Sequence, residues 1–190
     1  MTGRLKMKTI TARELMVPIE EYATVTQNAD LHEAIIALEK AQKTLEPSQH
    51  QHRAILVLDG DGNVLGKLTM KDILRALEPN YRNLEGMDVL SRSGHSPDLI
   101  KSMLENNALW LEPLEFVCQR ATQLKVSDFV EPPDECEYVD ENATLGETIH
   151  QLLACPYQSL LATRDKKVVG ILRLSDVFSI VCDKIKTCRI

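Results

Sequence analysis

Apolar and polar residues alternate along the chain in two rhythms, and each rhythm occurs twice. Leu31, Ile35 and Leu38 share one helical face, and Leu145, Ile149 and Leu152 repeat that spacing. Ala54-Ile-Leu-Val-Leu58 is an apolar run of strand length, followed by the turn Asp59-Gly-Asp-Gly-Asn63 and a second run, Val64–Leu68. Two such runs joined by Gly-rich polar residues predict a hairpin. Ser159–Thr163, the turn Arg164–Lys167 and Val168–Leu172 predict another. Short strands are predicted at Ala23–Thr26 and Glu137–Asp140, before each helix. Closing helices are predicted at Asp72–Leu77 and from Asp176 to about Lys186. The order β-α-β-β-α is therefore written twice.

The two copies align residue by residue. Pro18–Leu38 falls without gaps on Pro132–Leu152, matching Pro18/Pro132, Val25/Val139, Leu31/Leu145, Ile35/Ile149 and Leu38/Leu152. Farther on, Leu56/Leu160, Gly66/Gly170, Leu68/Leu172 and Asp72/Asp176 match, once an extra segment around Ala41–His52 is allowed in the first copy. Each copy has about 60 residues, a size that is marginal alone because too little surface is buried. The expectation is an α+β (α/β) fold in which both copies pack about a pseudo-twofold axis.

Boundaries at 10–78 and 124–187 leave residues 79–123 as a helical connecting segment. Ser96-Pro97-Asp98 has the N-cap, first-position proline and early acid of a helix start, and Leu99, Ile100, Met103 and Leu104 supply an apolar stripe. A second helix is predicted near Pro113, carrying Leu114, Val117, Ala121 and Leu124, with Trp110 between the two. An amphipathic pair of this kind either covers its own core or forms a dimer or partner surface.

Each copy ends its hairpin on related residues: Gly66-Lys-Leu-Thr69-Met-Lys-Asp72 and Gly170-Ile-Leu-Arg173-Leu-Ser175-Asp176. With the duplicated β-α-β-β-α order, this resembles a tandem pair of cystathionine-β-synthase (CBS) domains, over roughly residues 10–78 and 124–187. The resemblance implies one module of two packed repeats, a frequent homodimer, and clefts between the halves that take an adenosine-containing ligand. It also implies a regulatory role rather than an enzymatic one. The family pattern puts Thr69 and Asp72 on phosphate and ribose, His52 and Arg53, with Ala54 behind them, near phosphate, and Thr24 and Tyr138 near the base. Lys71 is a further cation. In the second copy Arg173 stands where Thr or Ser is expected, beside Ser175 and Asp176, so that Arg173 either pairs with phosphate or closes the cleft.

The chemistry of the motif has two explanations. A hydroxyl at a helix start can meet phosphate, assisted by free N–H groups, and a carboxylate one turn later can accept from both ribose hydroxyls. Gly66 would let a ligand approach the backbone. Alternatively, Thr69-x-x-Asp72 is a capping box that satisfies only its own helix, and Gly66 suits a tight junction. Lys67 alternates with Leu68 and is expected to face water.

Composition narrows the function further. Of 190 residues 44% are hydrophobic and 26% charged, as in ordinary globular chains. The net charge of −6 argues against nonspecific binding to nucleic acid or to an anionic membrane. No apolar run is long enough to cross a bilayer, and Met1-Thr-Gly-Arg-Leu-Lys6 lacks the apolar stretch of a secretory signal. Five cysteines without C-x-x-C spacing read as reduced thiols in a cytoplasmic protein, and no metal site is expected. Asp59-Gly-Asp61-Gly-Asn63 departs from a calcium loop at Val64 and Met70, and no phosphate-binding loop or nucleophile-base grouping is present. The expectation is a non-catalytic sensor of AMP, ADP, ATP or S-adenosylmethionine. The alternative is a structural or interaction module with vestigial clefts, which meets a protein partner through residues 79–123.

Overall fold

The computed structural model describes residues 10–45, 50–78 and 113–187. The helix start at Ser96, its apolar stripe and Trp110 lie outside the described residues. A short helix α1 (Ala12–Leu15) and strand β1 (Val17–Pro18) precede the first repeat: β2 (Thr24–Thr26), α2 (Leu31–Lys43), β3 (Ala54–Leu58), β4 (Val64–Thr69) and α3 (Met70–Leu77). Helix α4 (Leu114–Ala121) leads to the second repeat: β5 (Tyr138–Asp140), α5 (Leu145–Ala154), β6 (Ser159–Arg164), β7 (Lys167–Arg173) and α6 (Leu174–Thr187). The duplicated β-α-β-β-α order is present in both halves. The closing helices start two residues earlier than predicted, because each chain turns directly from strand into helix.

Each repeat makes a small mixed sheet. In the first, β2 runs parallel to β3, and β3 antiparallel to β4. In the second, β5 runs parallel to β6, and β6 antiparallel to β7. The short helices begin at side-chain caps. Asp30 accepts from the Glu33 amide at 2.8 Å, and Thr144 accepts from the Glu147 amide at 3.3 Å.

The repeats exchange their leading segments. β1 precedes the first repeat yet pairs antiparallel with β7 of the second, Val17 opposite Ile171 and Pro18 opposite Gly170. Glu131, which precedes the second repeat, bridges to Lys67 on β4 of the first. The Ala12 amide donates to the Ala143 carbonyl, and the Val126 amide donates to the Ala29 carbonyl. These are pseudo-equivalent contacts, and they tie each half to the start of the other.

This crossing explains Gly66. A Cβ there would lie 2.3 Å from the Glu131 carbonyl oxygen and 2.7 Å from Val130 Cγ2. At Gly170 it would lie 2.7 Å from the Val17 carbonyl oxygen. Both glycines admit a crossing segment of the same chain, and the expected ligand approach at Gly66 is corrected accordingly.

The core has two faces. On β6, Leu161 packs into a cluster with Ile55, Leu56, Leu68 and Val126, while its neighbours Leu160 and Ala162 join Val139, Leu145 and Leu172 on the opposite face. The alternation follows the two-residue period of a strand, with both faces covered. Helix α4 turns Ala121 inward and packs Val117 against the first cluster, and leaves Leu114 and Phe116 exposed. The described end of the connecting segment therefore covers the core with one face only.

Candidate functional site

A groove of about 1300 Å³ opens where the β4–α3 junction of the first repeat faces the approach to β6 of the second. Thr69 is the N-cap of α3. Its hydroxyl accepts from the Asp72 amide at 3.2 Å and donates to Asp72 Oδ2 at 2.5 Å, while its own amide donates to the same oxygen at 2.9 Å. The capping box is thus complete. It uses one carboxylate oxygen only, and Oδ1 of Asp72 has no partner among the described residues. Both residues line the groove.

Three cations share the groove lining with that carboxylate. Arg53, Lys71 and Arg75 line the groove and carry no ion pair among the described residues. The floor is Tyr22, a buried phenol whose pKa is pushed up to about 12, chiefly by loss of solvent. The second repeat contributes Asp134, Tyr157, Ser159 and Ser175 to the lining. The Tyr157 hydroxyl donates to Asp134, and this bond holds the phenol proton, raising its pKa.

Lys67 is part of that lining and does not face water. Its ammonium lies 2.5 Å from Glu137 Oε1 and donates to the Ser159 carbonyl at 2.8 Å and hydroxyl at 3.1 Å. The Lys67 and Glu137 side chains are each 7% exposed. Tyr157 covers the ammonium, its ring centre 5.3 Å away. Alternation along β4 turns Lys67 away from the first core as expected. What lies on that side is the second repeat, which supplies enough acceptors to hold a buried charge.

The second repeat has a smaller counterpart cavity of about 660 Å³, lined by Met16, Val17, Pro18, His50, Asp176 and Ser179 among others. Here Arg173 occupies the position of Thr69. It is 8% exposed and grips Asp176 with two bonds, Nε to Oδ2 at 2.5 Å and a terminal nitrogen to Oδ1 at 2.9 Å. It also donates to the His50 carbonyl at 2.6 Å and faces His52 Nδ1 at 3.3 Å. Both oxygens of Asp176 are therefore occupied by the chain itself.

His52 departs from its expected role at phosphate. It is fully buried, packed edge-on against Tyr22 with ring centres 4.2 Å apart. Desolvation first, and the Arg173 charge second, hold its pKa down at about 4. A guanidinium can only donate, so Nδ1 accepts and the proton sits on Nε2, which has no partner among the described residues. A neutral, enclosed imidazole cannot bind phosphate.

Residues 12–79 match the family model of the CBS domain. The described architecture agrees across nearly the whole chain with solved CBS proteins. A CBS domain-containing protein of unknown function from Bacillus anthracis aligns with a TM-score of 0.60 at 18% identity, covering 94% of this chain and 96% of that one. The chain folds as a tandem CBS pair. The CBS domain of a bacterial CNNM/CorC family Mg²⁺ transporter, solved in complex with ATP, gives a TM-score of 0.57 at 14% identity and covers 94% and 91%. CBSX2, a CBS-pair protein from Arabidopsis thaliana, solved in complex with AMP, gives 0.55 at 17% and covers 93% and 98%. At these identities the likeness is one of fold. No curated protein sequence matches the chain.

In this CBS pair, Arg53, Ala54, Thr69, Lys71, Asp72, Arg173 and Ser175 meet in the large groove. Thr24, His52, Gly66, Tyr138 and Asp176 lie outside its lining. Thr24 and Tyr138 are strand residues opposite Leu56 and Leu161, and neither lines a cavity described here. The sequence reading did not single out Tyr22, Arg75 or Tyr157. Tyr157 had a signal, since it stands in the second repeat where Arg53 stands in the first. Among the described residues no cluster of His, Cys, Asp or Glu has a metal-binding arrangement, and no helix is long and apolar enough to cross a membrane.

Proposed function

We propose that this CBS pair is a non-catalytic regulatory module of the cytoplasm that binds an adenosine-containing ligand in the groove at Thr69 and Asp72. The observation that carries this reading is the make-up of the groove lining: Arg53, Lys71 and Arg75, without an ion pair among the described residues, together with Asp72, whose Oδ1 has no partner among the described residues. Cations held near an open cavity suit phosphate oxygens. The free Oδ1 suits a ribose hydroxyl. The volume exceeds what a single nucleotide fills. The complexes of structural neighbours with ATP and AMP support the ligand class.

Regulation would follow from where the groove lies. Both repeats form its walls, so a ligand that prefers one spacing between them shifts the population toward it, by no more than its differential affinity. Exposed Met70 and Leu74 on α3, and Leu174 and Phe178 at the equivalent positions of α6, support a homodimer through these helices. Titration calorimetry with AMP, ADP, ATP and S-adenosylmethionine tests the proposal. Heat of binding is expected for the phosphorylated ligands, and silence from all four in folded, ligand-free protein would refute it.

One observation favours a second reading. The capping box is complete with no ligand, as expected of a structural module with vestigial clefts. That reading predicts that no adenosyl ligand shifts the melting temperature, and that a protein partner is met through residues 79–123, where Leu114 and Phe116 are exposed.

A further inference from the structure

Next to the second-repeat residues that line the groove, two thiols are neighbours in space and not in sequence. Cys136 lies in the 3-10 turn Glu135–Glu137, just before β5, and Cys155 is the C-cap of α5. The Cys155 thiol donates to the Cys136 carbonyl at 3.2 Å, which brings it against the Cys136 residue. Their segments are already tied together. The Gln151 side chain donates to the Cys136 carbonyl at 2.8 Å and to the Tyr138 carbonyl at 2.6 Å, and the Cys155 amide donates to the Gln151 carbonyl at 3.0 Å. Both cysteines are half-buried and free, so a small reagent can reach them.

We propose that Cys136 and Cys155 are a reversible disulfide site, oxidised by a low-molecular-weight disulfide, that crosslinks the groove wall carrying Asp134 and Tyr157. The balance is that of thiol–disulfide exchange. The thiolate of one cysteine attacks a sulfur of the small disulfide, breaking its S–S bond and expelling one small thiolate. The second cysteine then attacks the mixed disulfide and expels the other. Two cysteine thiols are oxidised, one small disulfide is reduced, and the two thiol protons leave on the two small thiols. The Cys136 proton is held in the folded protein: the neighbouring Cys155 thiol first, and loss of solvent second, push its pKa up to about 11. The pair therefore rests as thiols until an oxidant arrives.

The consequence is local. Asp134 lies two residues before Cys136, Pro156 and Tyr157 directly follow Cys155, and all three line the groove. A covalent link would fix the two strips of wall that the Tyr157–Asp134 hydrogen bond joins in the reduced protein. This proposal does not depend on any nucleotide being bound.

The test treats the folded full chain with oxidised glutathione and reads intact mass and peptide maps. The expected product has lost two hydrogens, contains one Cys136–Cys155 linked peptide, and reverts with dithiothreitol. Cys155→Ser should abolish the link and leave a glutathione adduct on Cys136, while Cys118→Ser should leave the link intact. The linked protein should melt several degrees higher than Cys155→Ser, because the crosslink restricts the unfolded chain. Separate glutathione adducts on the two cysteines of the wild type, or unmodified thiols there while exposed Cys118 reacts, would overturn the proposal. So would a mapped link that lowers the melting temperature, since that link would not fit the native wall.

Discussion

The two clefts of this CBS pair carry related motifs, and the difference between Thr69 and Arg173 has a large effect. At Thr69 the cap is a small hydroxyl, which satisfies one oxygen of Asp72 and leaves the other without a partner among the described residues. At Arg173 the cap is a guanidinium, which takes both oxygens of Asp176 and reaches back to His50 and His52. The same carboxylate is thus half free in one cleft and fully engaged in the other. A cation built into the second site engages the carboxylate that the hydroxyl leaves half engaged in the first. In exchange it joins two elements that the hydroxyl leaves apart.

The largest test of this contrast removes the built-in cation. Arg173→Ala should cost about 3 kcal/mol of stability or more by denaturant unfolding, because it strands a part-buried Asp176 and removes the bond to the His50 carbonyl. A loss under about 1 kcal/mol would show that Arg173 is not a structural tie. Thr69→Ala should cost nearer about 1 kcal/mol, the ordinary value of an N-cap.

Acid provides the next test, of comparable size. His52 is neutral in the fold, with its pKa lowered from 6.5 to about 4. Unfolding therefore takes up a proton between those values, and stability should fall as pH drops through that window, by roughly 3 kcal/mol at most. His52→Asn keeps an acceptor near Arg173 without titrating, and should flatten this part of the pH–stability curve. An unchanged slope would place the acid sensitivity elsewhere.

The crossing segments give a graded comparison. Gly66→Ala drives a methyl to 2.3 Å from the Glu131 carbonyl oxygen, and Gly170→Ala to 2.7 Å from that of Val17. Both should destabilise by about 1–3 kcal/mol, with Gly66→Ala the worse. The reverse order in thermal melts would mean that the 130–131 segment yields more easily than β1.

The smallest effect concerns ligand rather than stability. Asp72→Asn should weaken ATP binding about tenfold by calorimetry, the worth of one charged hydrogen bond, while Asp176→Asn should change it by less than about twofold. Equal losses would erase the distinction between the clefts.

How much of this was legible in the sequence depended on range. The repeat, the hairpins and the capping box at Thr69 were readable, since strand alternation, helical spacing and caps are set by neighbours a few residues apart. The rejected calcium loop is a hairpin turn, in which Asp59 accepts from the amides of Asp61 and Asn63. Lys67 and His52 misled for a shared reason. Burial is decided by residues far away in the chain, Glu137 and Ser159 in one case, and Tyr22 and Arg173 in the other. Thr24 and Tyr138 followed the family pattern, yet their strands carry them away from either cavity.

The sequence by itself determined that a β-α-β-β-α unit is built twice, because each element is written in local periodicity and turn chemistry. It also determined that the copies differ at Thr69 and Arg173. Only the tertiary structure decided that each half lends its leading segment to the other, that Lys67 carries its charge inside, and that both oxygens of Asp176 are engaged while Asp72 Oδ1 has no partner among the described residues. Those outcomes depend on which groups meet across long stretches of chain, where desolvation and pairing set the result and local pattern has no say.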